Sequence, residues 1–354
     1  MQSTKPTSPP PLLLALGRLP VDRVPVWFMR QAGRSLPEYR SIRGSESILH
    51  VLKDPELSAK ITLQPVERYG VDAAILYSDI VAPYVSMPLE LDIVPGLGPV
   101  AGAPLRGPGD LDRLRPLDPD RDLSAMAKTV DICTSALEVP LIGFAGGPFT
   151  VASYLVEGRP SRDYLLTKEL MFNDEQSWHH IMDALVDVAL TVVGVQVAHG
   201  ASVVQVFDSW IGALSPRHFN RFVKGHLERL AAGISTLGVP SIYFGVGTVG
   251  LLPEIIDIGF AAIGLDWRSN LRSAALKYGG SMALQGNLDP AVLFATEPLL
   301  LAEVAATLEE SAPAAGYVFN LGHGVLPATD PGKLAAVVSF VHESGLALRT
   351  EEFE

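Results

Sequence analysis

The stretch VVQVFDSW, residues 203–210, is a short run of β-branched and apolar residues that ends in a carboxylate and a hydroxyl. Runs of this kind are typical of strands that are buried on both faces of a parallel sheet. Eight such runs occur along the chain: PVWFM at 25–29, AAILY at 73–77, PLIGF at 140–144, VVQVF at 203–207, SIYF at 241–244, AIGL at 262–265, MALQ at 282–285 and YVFN at 317–320. We therefore expect eight buried strands.

Helical patterns separate these runs. The clearest one starts at Asn173, a candidate N-cap, and continues through Asp174 and Glu175 as far as Gly200. Its apolar residues at helical spacing are Ile181, Leu185, Val188, Val192 and Val195. Strands that alternate with amphipathic helices predict an α/β fold, and the count of eight favours a single-domain (β/α)8 TIM barrel. A doubly wound open sheet is the alternative if two of the runs are not strands.

The barrel is expected to span residues 12–347. Residues 1–11 are rich in Pro, Ser and Thr and are expected to form a flexible tail, whereas 348–354 ends in EEFE and is expected to form an acidic one. The Pro- and Gly-rich stretch at 88–122 indicates a surface excursion after the second strand. We thus predict one domain between two short tails.

The composition limits the class of partner. With 48% hydrophobic and 19% charged residues in 354, the chain can bury a large core. A net charge of −12 argues against nucleic acid or an anionic membrane as partner, and no apolar run reaches the roughly 18 residues that span a bilayer. The sole cysteine, Cys133, rules out an internal disulfide and a cysteine-rich zinc site. A cytoplasmic protein is expected.

Positive charge is concentrated near the N-terminus, where five arginines and no lysine occur from Arg23 to Arg43. The planar guanidinium grips a carboxylate with two hydrogen bonds, which the ammonium of lysine does not do. An arginine-only cluster in an acidic chain therefore indicates a ligand that carries several carboxylates.

In a parallel barrel, functional groups gather just after the C-terminal ends of the strands. The residues in these positions are Arg30, Ser78 with Asp79, Gly146 with Gly147, Asp208 with Ser209, Asp266, Asn287 and His323. Topology alone would bring Arg30, Asp79, Ser209 and His323 to one mouth.

Seven sequence blocks carry a family resemblance: PVWFMRQAGRSLPEYR at 25–40, LYSDI at 76–80, GFAGGPFTVASYLVEG at 143–158, QVFDSW at 205–210, GLDW at 264–267, QGNLDP at 285–290 and NLGHG at 320–324. From about Leu12 to His342 the chain resembles the uroporphyrinogen decarboxylase family. The resemblance implies a barrel, a homodimer with active-site clefts that face each other, and conversion of the four acetates of uroporphyrinogen III to methyls. The products would be coproporphyrinogen III and CO₂.

Loss of CO₂ from a pyrrole acetate leaves an electron pair that needs a sink. A pyrrole protonated on a neighbouring ring carbon is such a sink, so neither a metal nor an organic cofactor is expected. The site must supply an anion under the tetrapyrrole, a proton donor and cations for the other carboxylates. Asp79 is expected to be the anion, with a structural strand-end cap as the alternative reading of the same residue.

The arginine-rich block is expected to bind the substrate. By resemblance its contact residues are Arg30, Gln31, Ala32, Gly33, Arg34 and, further along, Arg43, whereas Arg40 is expected to be an ordinary surface residue. Arg30 is the first candidate for the proton donor and His323 is its rival. The other expected contacts are the hydroxyls of Tyr154 and Ser209 and the apolar walls Phe144 and Phe207.

Three other functions were weighed. GVGTVG at 245–250 matches a dinucleotide fingerprint, with Asp266 at a suitable distance, although too few strands follow it. Thiol methyltransferases of the same superfamily use zinc held by His and Cys thiolates, and Cys133 has no such partner in sequence. A non-catalytic tetrapyrrole carrier would need the arginines but not Asp79.

Overall fold

Seven of the eight predicted runs form strands of one curled parallel sheet in the computed structural model, which describes residues 9–33, 35–44, 46–94 and 96–350. The strands are β1 (Ala74–Ile75), β2 (Leu91–Val94), β3 (Gly98–Ala101), β4 (Leu141–Gly146), β5 (Val203–Asp208), β6 (Ser241–Gly245), β7 (Ala262–Gly264), β8 (Ala283–Gln285) and β9 (Tyr317–Val318). The parallel sheet has the order β1-β4-β5-β6-β7-β8-β9. Because this order never reverses, the doubly wound alternative is wrong.

Helices connect the strands on the outside of the sheet. They are α1 (Pro11–Leu16), α2 (Pro37–Arg43), α3 (Ile48–Val51), α4 (Pro55–Tyr69), α5 (Pro119–Asp122), α6 (Ser124–Ala136), α7 (Pro148–Glu157), α8 (Leu165–Asn173), α9 (Glu175–Ala198), α10 (Pro216–Phe222), α11 (Lys224–Ser235), α12 (Leu252–Ile256), α13 (Leu271–Tyr278), α14 (Glu297–Glu310) and α15 (Pro331–Thr350). The expected tail boundary at 348 lies inside α15, and residues 1–8 and 351–354 lie outside the described residues.

Two local predictions need correction. Asn173 is the last residue of α8, and the cap of α9 is Asp174, whose carboxylate accepts a hydrogen bond from the Ser177 amide at 3.1 Å. The excursion at 88–122 contains the antiparallel pair β2 and β3, which its Pro and Gly content had concealed.

Helix α9 is also long and apolar enough, by length and composition, to cross a membrane. Half of its most apolar window is buried inside the protein, against neighbouring helices and β4. A core helix of a soluble protein passes the same test, so the finding is weak evidence for a membrane span.

The first predicted strand, 25–29, is present only as a bridged segment. Val26 pairs with Phe319 beside β9, where the Phe319 amide donates to Pro25 O at 2.9 Å and the Trp27 amide to Phe319 O at 3.4 Å. On its other side, the Asp72 amide donates to Val26 O, and the Val26 amide donates to the Asp72 carboxylate, both at 2.8 Å. A side chain thus replaces the strand carbonyl, which is why no regular ladder forms here.

Asp72 connects residues from the two ends of the chain at the Val26 segment, the seam between β9 and the residues before β1. Its buried carboxylate also accepts two hydrogen bonds from Arg23, at 2.9 and 2.6 Å, and lies 2.7 Å from His342 Nε2 on α15. A buried carboxylate is tolerated only when its oxygens are this fully bonded. The segment before β1, the Val26 segment and α15 are therefore fixed to one another by a single side chain.

A buried polar chain shows which way the 25–29 segment faces. Trp27 Nε1 donates to Gln285 Oε1 on β8 at 2.9 Å, and Gln285 Nε2 lies 3.5 Å from Gln205 Oε1 on β5. All three side chains are fully buried. Side chains of non-neighbouring strands can meet in this way only on the concave side of a curled sheet, so Trp27 fills the interior.

Replacing Asp72 with alanine should destabilise the protein by about 3–5 kcal/mol, because Arg23 and the Val26 amide would lose a buried acceptor. Urea unfolding at neutral pH would measure the loss. Asp112→Ala is the matched control, since this exposed carboxylate should change the free energy of unfolding by less than about 0.5 kcal/mol. Equal stability of the two variants would contradict the assigned role of Asp72.

Candidate functional site

The strand ends carry most of the predicted site residues to one edge of the sheet. Arg30 follows the Val26 segment, Asp79 follows β1, Ser209 follows β5 and His323 follows β9. Charge effects connect them: the hydroxyl of Tyr154 on α7 is influenced by both Asp79 and Arg30, and His323 is influenced by Arg30. Arg30, Asp79, Tyr154 and His323 are thus neighbours at this edge of the sheet, called the mouth below, and Ser209 follows a strand that ends at the same edge.

Arg30 lies across the loop that holds His323. Its backbone has φ 60°, in the left-handed region, and its side chain runs over Gly324. A Cβ at Gly324 would lie 2.7 Å from Arg30 Cγ, so only glycine leaves room for the arginine there. The Val325 amide donates to Met29 O at 2.8 Å and holds the two loops together.

His323 is neutral in this setting. The Gly324 amide donates to His323 Nδ1 at 2.7 Å, so Nδ1 must be the unprotonated nitrogen and Nε2 carries the hydrogen. Burial and the nearby Arg30 guanidinium lower the pKa of His323 to about 4. At neutral pH the ring can donate a hydrogen bond from Nε2, but it is not an imidazolium.

Asp79 is half-buried and its orientation is fixed by the turn that follows it. Its Oδ1 accepts from the Val81 amide at 3.0 Å, and its carbonyl accepts from the Ala82 amide at 3.1 Å, at the start of the 3₁₀ turn Ala82–Ser86. Asp79 therefore caps the turn after β1, as its structural reading expects. The capping bond also aims the carboxylate, which burial alone would not do.

The residues that follow Arg30 are held in place by hydrogen bonds of the Gln31 side chain. Gln31 is fully buried: its Oε1 accepts from the Phe28 amide and its Nε2 donates to Ala73 O, both at 2.9 Å. Its side chain therefore anchors the loop, and its amide also donates to Phe28 O at 3.0 Å. Ala32 is half-buried, Gly33 has φ +127°, and Arg34 lies outside the described residues.

Arg43 is connected to the end of β1 by hydrogen bonds through two tyrosines. Its Nη1 donates to the Tyr39 hydroxyl at 3.3 Å, and that hydroxyl is 2.9 Å from the hydroxyl of Tyr77, which follows β1. Its Nε donates to Glu46 O at 2.8 Å, so the side chain is held at both ends of the guanidinium. Arg40 is exposed on the same helix, as expected of a surface residue.

An aromatic wall lines the strands behind these groups. Phe144 and Phe207 meet edge to face with centroids 5.4 Å apart, and the series continues to Phe244 at 6.3 Å and from there to His323 at 6.3 Å. Phe244 is not among the residues predicted for the site from sequence. Its pairing register with Phe207 is the signal that could have placed it on the wall, because paired residues on neighbouring strands share a face.

Tyr154 and Ser209 stand beside this wall. The Tyr154 ring stacks on Trp210 with centroids 4.0 Å apart, and burial raises its pKa well above the usual range, so its hydroxyl stays protonated. Ser209 directly follows β5 and is half-buried. Trp210 is also absent from the predicted site residues, because spacing in the sequence does not show that it packs against Tyr154.

The GVGTVG segment starts at the last residue of β6 and forms the loop that follows this strand. Asp266 accepts from the Gly247 amide at 2.7 Å, from Arg268 at 3.1 and 2.9 Å and from Ser269 Oγ at 2.8 Å. Its oxygens are thereby occupied by its own surroundings. Only the three-residue 3₁₀ turn Val249–Leu251 and the five-residue α12 follow, whereas a dinucleotide site needs a full helix to face the pyrophosphate.

Cys133 is buried on α6, and burial raises its pKa to about 11. A zinc ligand must be a thiolate, which this environment disfavours. Across the part of the chain that the structure describes, no three His, Cys, Asp or Glu side chains are grouped so that they could hold a metal ion.

Known proteins resemble this chain over nearly its whole length. The family model described as uroporphyrinogen decarboxylase (URO-D) matches residues 7–344. Uroporphyrinogen decarboxylase of Salinispora tropica is 49% identical over 334 residues, 94% of this chain and 90% of the relative. That of Rhodococcus opacus is 50% identical over 339 residues, covering 94% and 95%.

Among solved structures, a methyltransferase from Methanosarcina mazei superposes with a TM-score of 0.77 at 23% identity, covering 94% of this chain and 97% of its own. A putative vitamin-B12 independent methionine synthase from Listeria monocytogenes gives 0.54 at 11% identity, covering 90% and 96%. At such low identity these two likenesses concern the fold alone. The matches in sequence are far closer, and by them the chain belongs to the uroporphyrinogen decarboxylase family.

Proposed function

We propose that this protein removes CO₂ from the four acetate side chains of uroporphyrinogen III and so forms coproporphyrinogen III, in the biosynthesis of haem and related tetrapyrroles. The observation that carries the proposal is the approach of Asp79 and Arg30 to one mouth, in a chain about 49% identical to known uroporphyrinogen decarboxylases. One anion flanked by arginines suits a substrate with a cationic transition state and several carboxylates.

The reaction begins with a proton. Protonation of the ring carbon next to the one that bears the acetate makes the pyrrole a cation. The electron pair of the C–CO₂ bond then moves towards the ring, CO₂ leaves, and an exocyclic methylene remains. A proton added to this methylene makes the methyl group, and loss of the first proton restores the pyrrole, so that each CO₂ released consumes one proton. The ring itself is the electron sink, and the proposal includes no metal or cofactor.

Asp79 would lie under the tetrapyrrole and accept hydrogen bonds from its pyrrole N–H groups. The Val81 amide holds Oδ1, so the carboxylate needs little reorganisation when the ring becomes positive. Phe144 and Phe207 close the apolar side of the pocket, where reduced solvation strengthens the attraction between the carboxylate and the cation. Arg30, Arg34 and Arg43 would hold acetate and propionate groups.

The proton donor is assigned to Arg30. His323 is the weaker candidate because its Nδ1 is an acceptor and its ring is neutral at physiological pH. The Nε2–H of His323, the hydroxyl of Tyr154 and the hydroxyl of Ser209 would instead donate hydrogen bonds to the substrate. Arginine is a weak acid, and only close contact with a basic pyrrole carbon makes it a competent donor.

Three further features belong to the proposal: a closed barrel, a homodimer and a cytoplasmic location. The hydrogen bonds of Pro25 and Trp27 to Phe319, and of Val26 to Asp72, support closure of the sheet into a single-domain eight-stranded (β/α)8 barrel. The protein is proposed to be a homodimer and cytoplasmic, as the family resemblance and the single buried cysteine suggest. A thiol methyltransferase is less well supported because the Cys133 thiol stays protonated.

Replacing Asp79 with alanine should leave the fold intact and lower CO₂ release by at least about 10³-fold, since the developing ring cation would lose its counter-charge. Anaerobic incubation with uroporphyrinogen III, then oxidation and chromatography, counts the carboxyl groups that remain. Asp92→Ala, at the exposed position of β2, is the control. Full turnover by Asp79→Ala would overturn the mechanism, and tight binding by the wild type without any CO₂ would point to a carrier.

Replacing Arg34 with alanine should raise KM about tenfold with a smaller change in kcat, because a bidentate carboxylate contact would be lost before and during the reaction alike. Arg40→Ala is the matched control in the same segment and should stay within about twofold of the wild type. Initial rates at several substrate concentrations separate the two constants. A similar effect of both substitutions would indicate nonspecific attraction by positive charge.

The pH dependence should reflect a neutral His323. Its folded pKa of about 4 lies below the ordinary 6.5, so the unfolded chain binds the proton more tightly. Its contribution to stability is therefore complete above pH 6.5 and is lost as the pH falls towards 4. His323→Gln should reduce the acid sensitivity of the melting temperature between pH 7 and pH 4. An inflection in wild-type kcat/KM near pH 6.5 that His323→Gln abolishes would show that the pKa of His323 is not lowered.

A further inference from the structure

Asp208 is the last residue of β5 and stands between two predicted site residues, Phe207 and Ser209, yet it is fully buried. Its carboxylate faces the start of α7, where Oδ1 accepts from the Thr150 amide at 2.9 Å and from the Thr150 hydroxyl at 2.6 Å. Gly147 leaves the space for it, because a Cβ there would collide with the carboxylate. Nothing in the proposed reaction uses this buried group.

The direction of the next hydrogen bond is fixed. Thr150 Oγ1 is 3.0 Å from the Trp210 amide, which can only donate. The threonine hydroxyl must therefore accept from Trp210 and give its own proton to Asp208. The other carboxylate oxygen, Oδ2, accepts from the Tyr243 hydroxyl at 3.1 Å. Every polar atom in this chain of bonds thus has one consistent role.

The chain of bonds ends at the mouth. The ring of Trp210 stacks on Tyr154 with centroids 4.0 Å apart and a tilt of 36°, and it also contacts Tyr164 at 5.2 Å. Tyr154 itself lies on α7, one helical turn after Thr150. Asp208 is therefore connected to Tyr154 twice, through the body of α7 and through Thr150 and the Trp210 ring.

We propose that Asp208 is a positioning residue: acting through Thr150 and Trp210, it fixes the place of Tyr154 and the direction of Ser209 at the mouth. The proposal rests on the function given above for Tyr154 and Ser209. A purely structural cap would matter for the stability of α7 and nothing else. A positioning residue must in addition be coupled to the Tyr154 hydroxyl.

Thr150→Val tests the coupling, because it removes the hydroxyl and keeps the branched shape. It should lower kcat/KM about tenfold, as expected for a misplaced contact group, while Thr150→Ser restores wild-type activity within about twofold. In a Tyr154→Phe background, Thr150→Val should cost less than about twofold, since the group that it positions is already absent. Thr129→Val is the control, because that buried hydroxyl bonds only Ala125 O of its own helix.

Equal losses from Thr150→Val with and without the Tyr154 hydroxyl would overturn the proposal. If Thr150→Val does not fold, as judged by circular dichroism, Trp210→Leu replaces it and should show the same non-additivity with Tyr154→Phe. A crystal structure of Thr150→Val gives a readout that does not depend on turnover: the Tyr154 ring should have moved, and an unmoved ring would refute the positioning role. An inactive wild type would count against the proposed function alone.

Discussion

The arrangement depends first on one buried carboxylate. The Val26 segment pairs with Phe319 beside β9 on one side and is bonded on its other side to Asp72, which precedes β1. Four residues after Val26 in the chain comes Arg30, so the position of the guanidinium follows from the position of the seam. The Arg23 guanidinium neutralises the Asp72 carboxylate, and His342 Nε2 lies 2.7 Å from its Oδ2, which makes the burial of the charge tolerable.

Nearer the mouth, side-chain amides also bond to main-chain groups in place of a strand partner. Asn320 Oδ1 accepts from the Met29 amide at 3.1 Å, and Gln31 joins the Arg30 turn to Ala73. Both substitute for main-chain bonds that an irregular loop cannot make with itself. The side chains of Asn320 and Gln31 therefore fasten the arginine block to the segments beneath it.

Seven strands could be predicted from sequence because each is an apolar run buried on both faces, and that pattern is local. The prediction of a full strand at 25–29 was wrong in extent, because this segment is bonded to Asp72 and Phe319. No local pattern reveals a partner almost three hundred residues away. The topological rule predicted that Arg30, Asp79 and His323 follow strand ends at one edge of the sheet, which they do, and their roles there stay predictions. It could not show that the Gln31 side chain turns inward, that His323 is neutral, or that Trp210 supports Tyr154, since each depends on packing between distant segments.

Arg30 has a left-handed backbone, a conformation that costs a residue with a side chain of the order of 1–3 kcal/mol and costs glycine almost nothing. Tyr164, which touches Trp210, shares this conformation with φ 53°. Two strained positions therefore lie at the mouth, and both would be relieved by glycine. Engineering for heat resistance alone would favour such replacements, but glycine at residue 30 would remove the cation that the proposed reaction uses. Stability and the proposed activity therefore make opposite demands on Arg30.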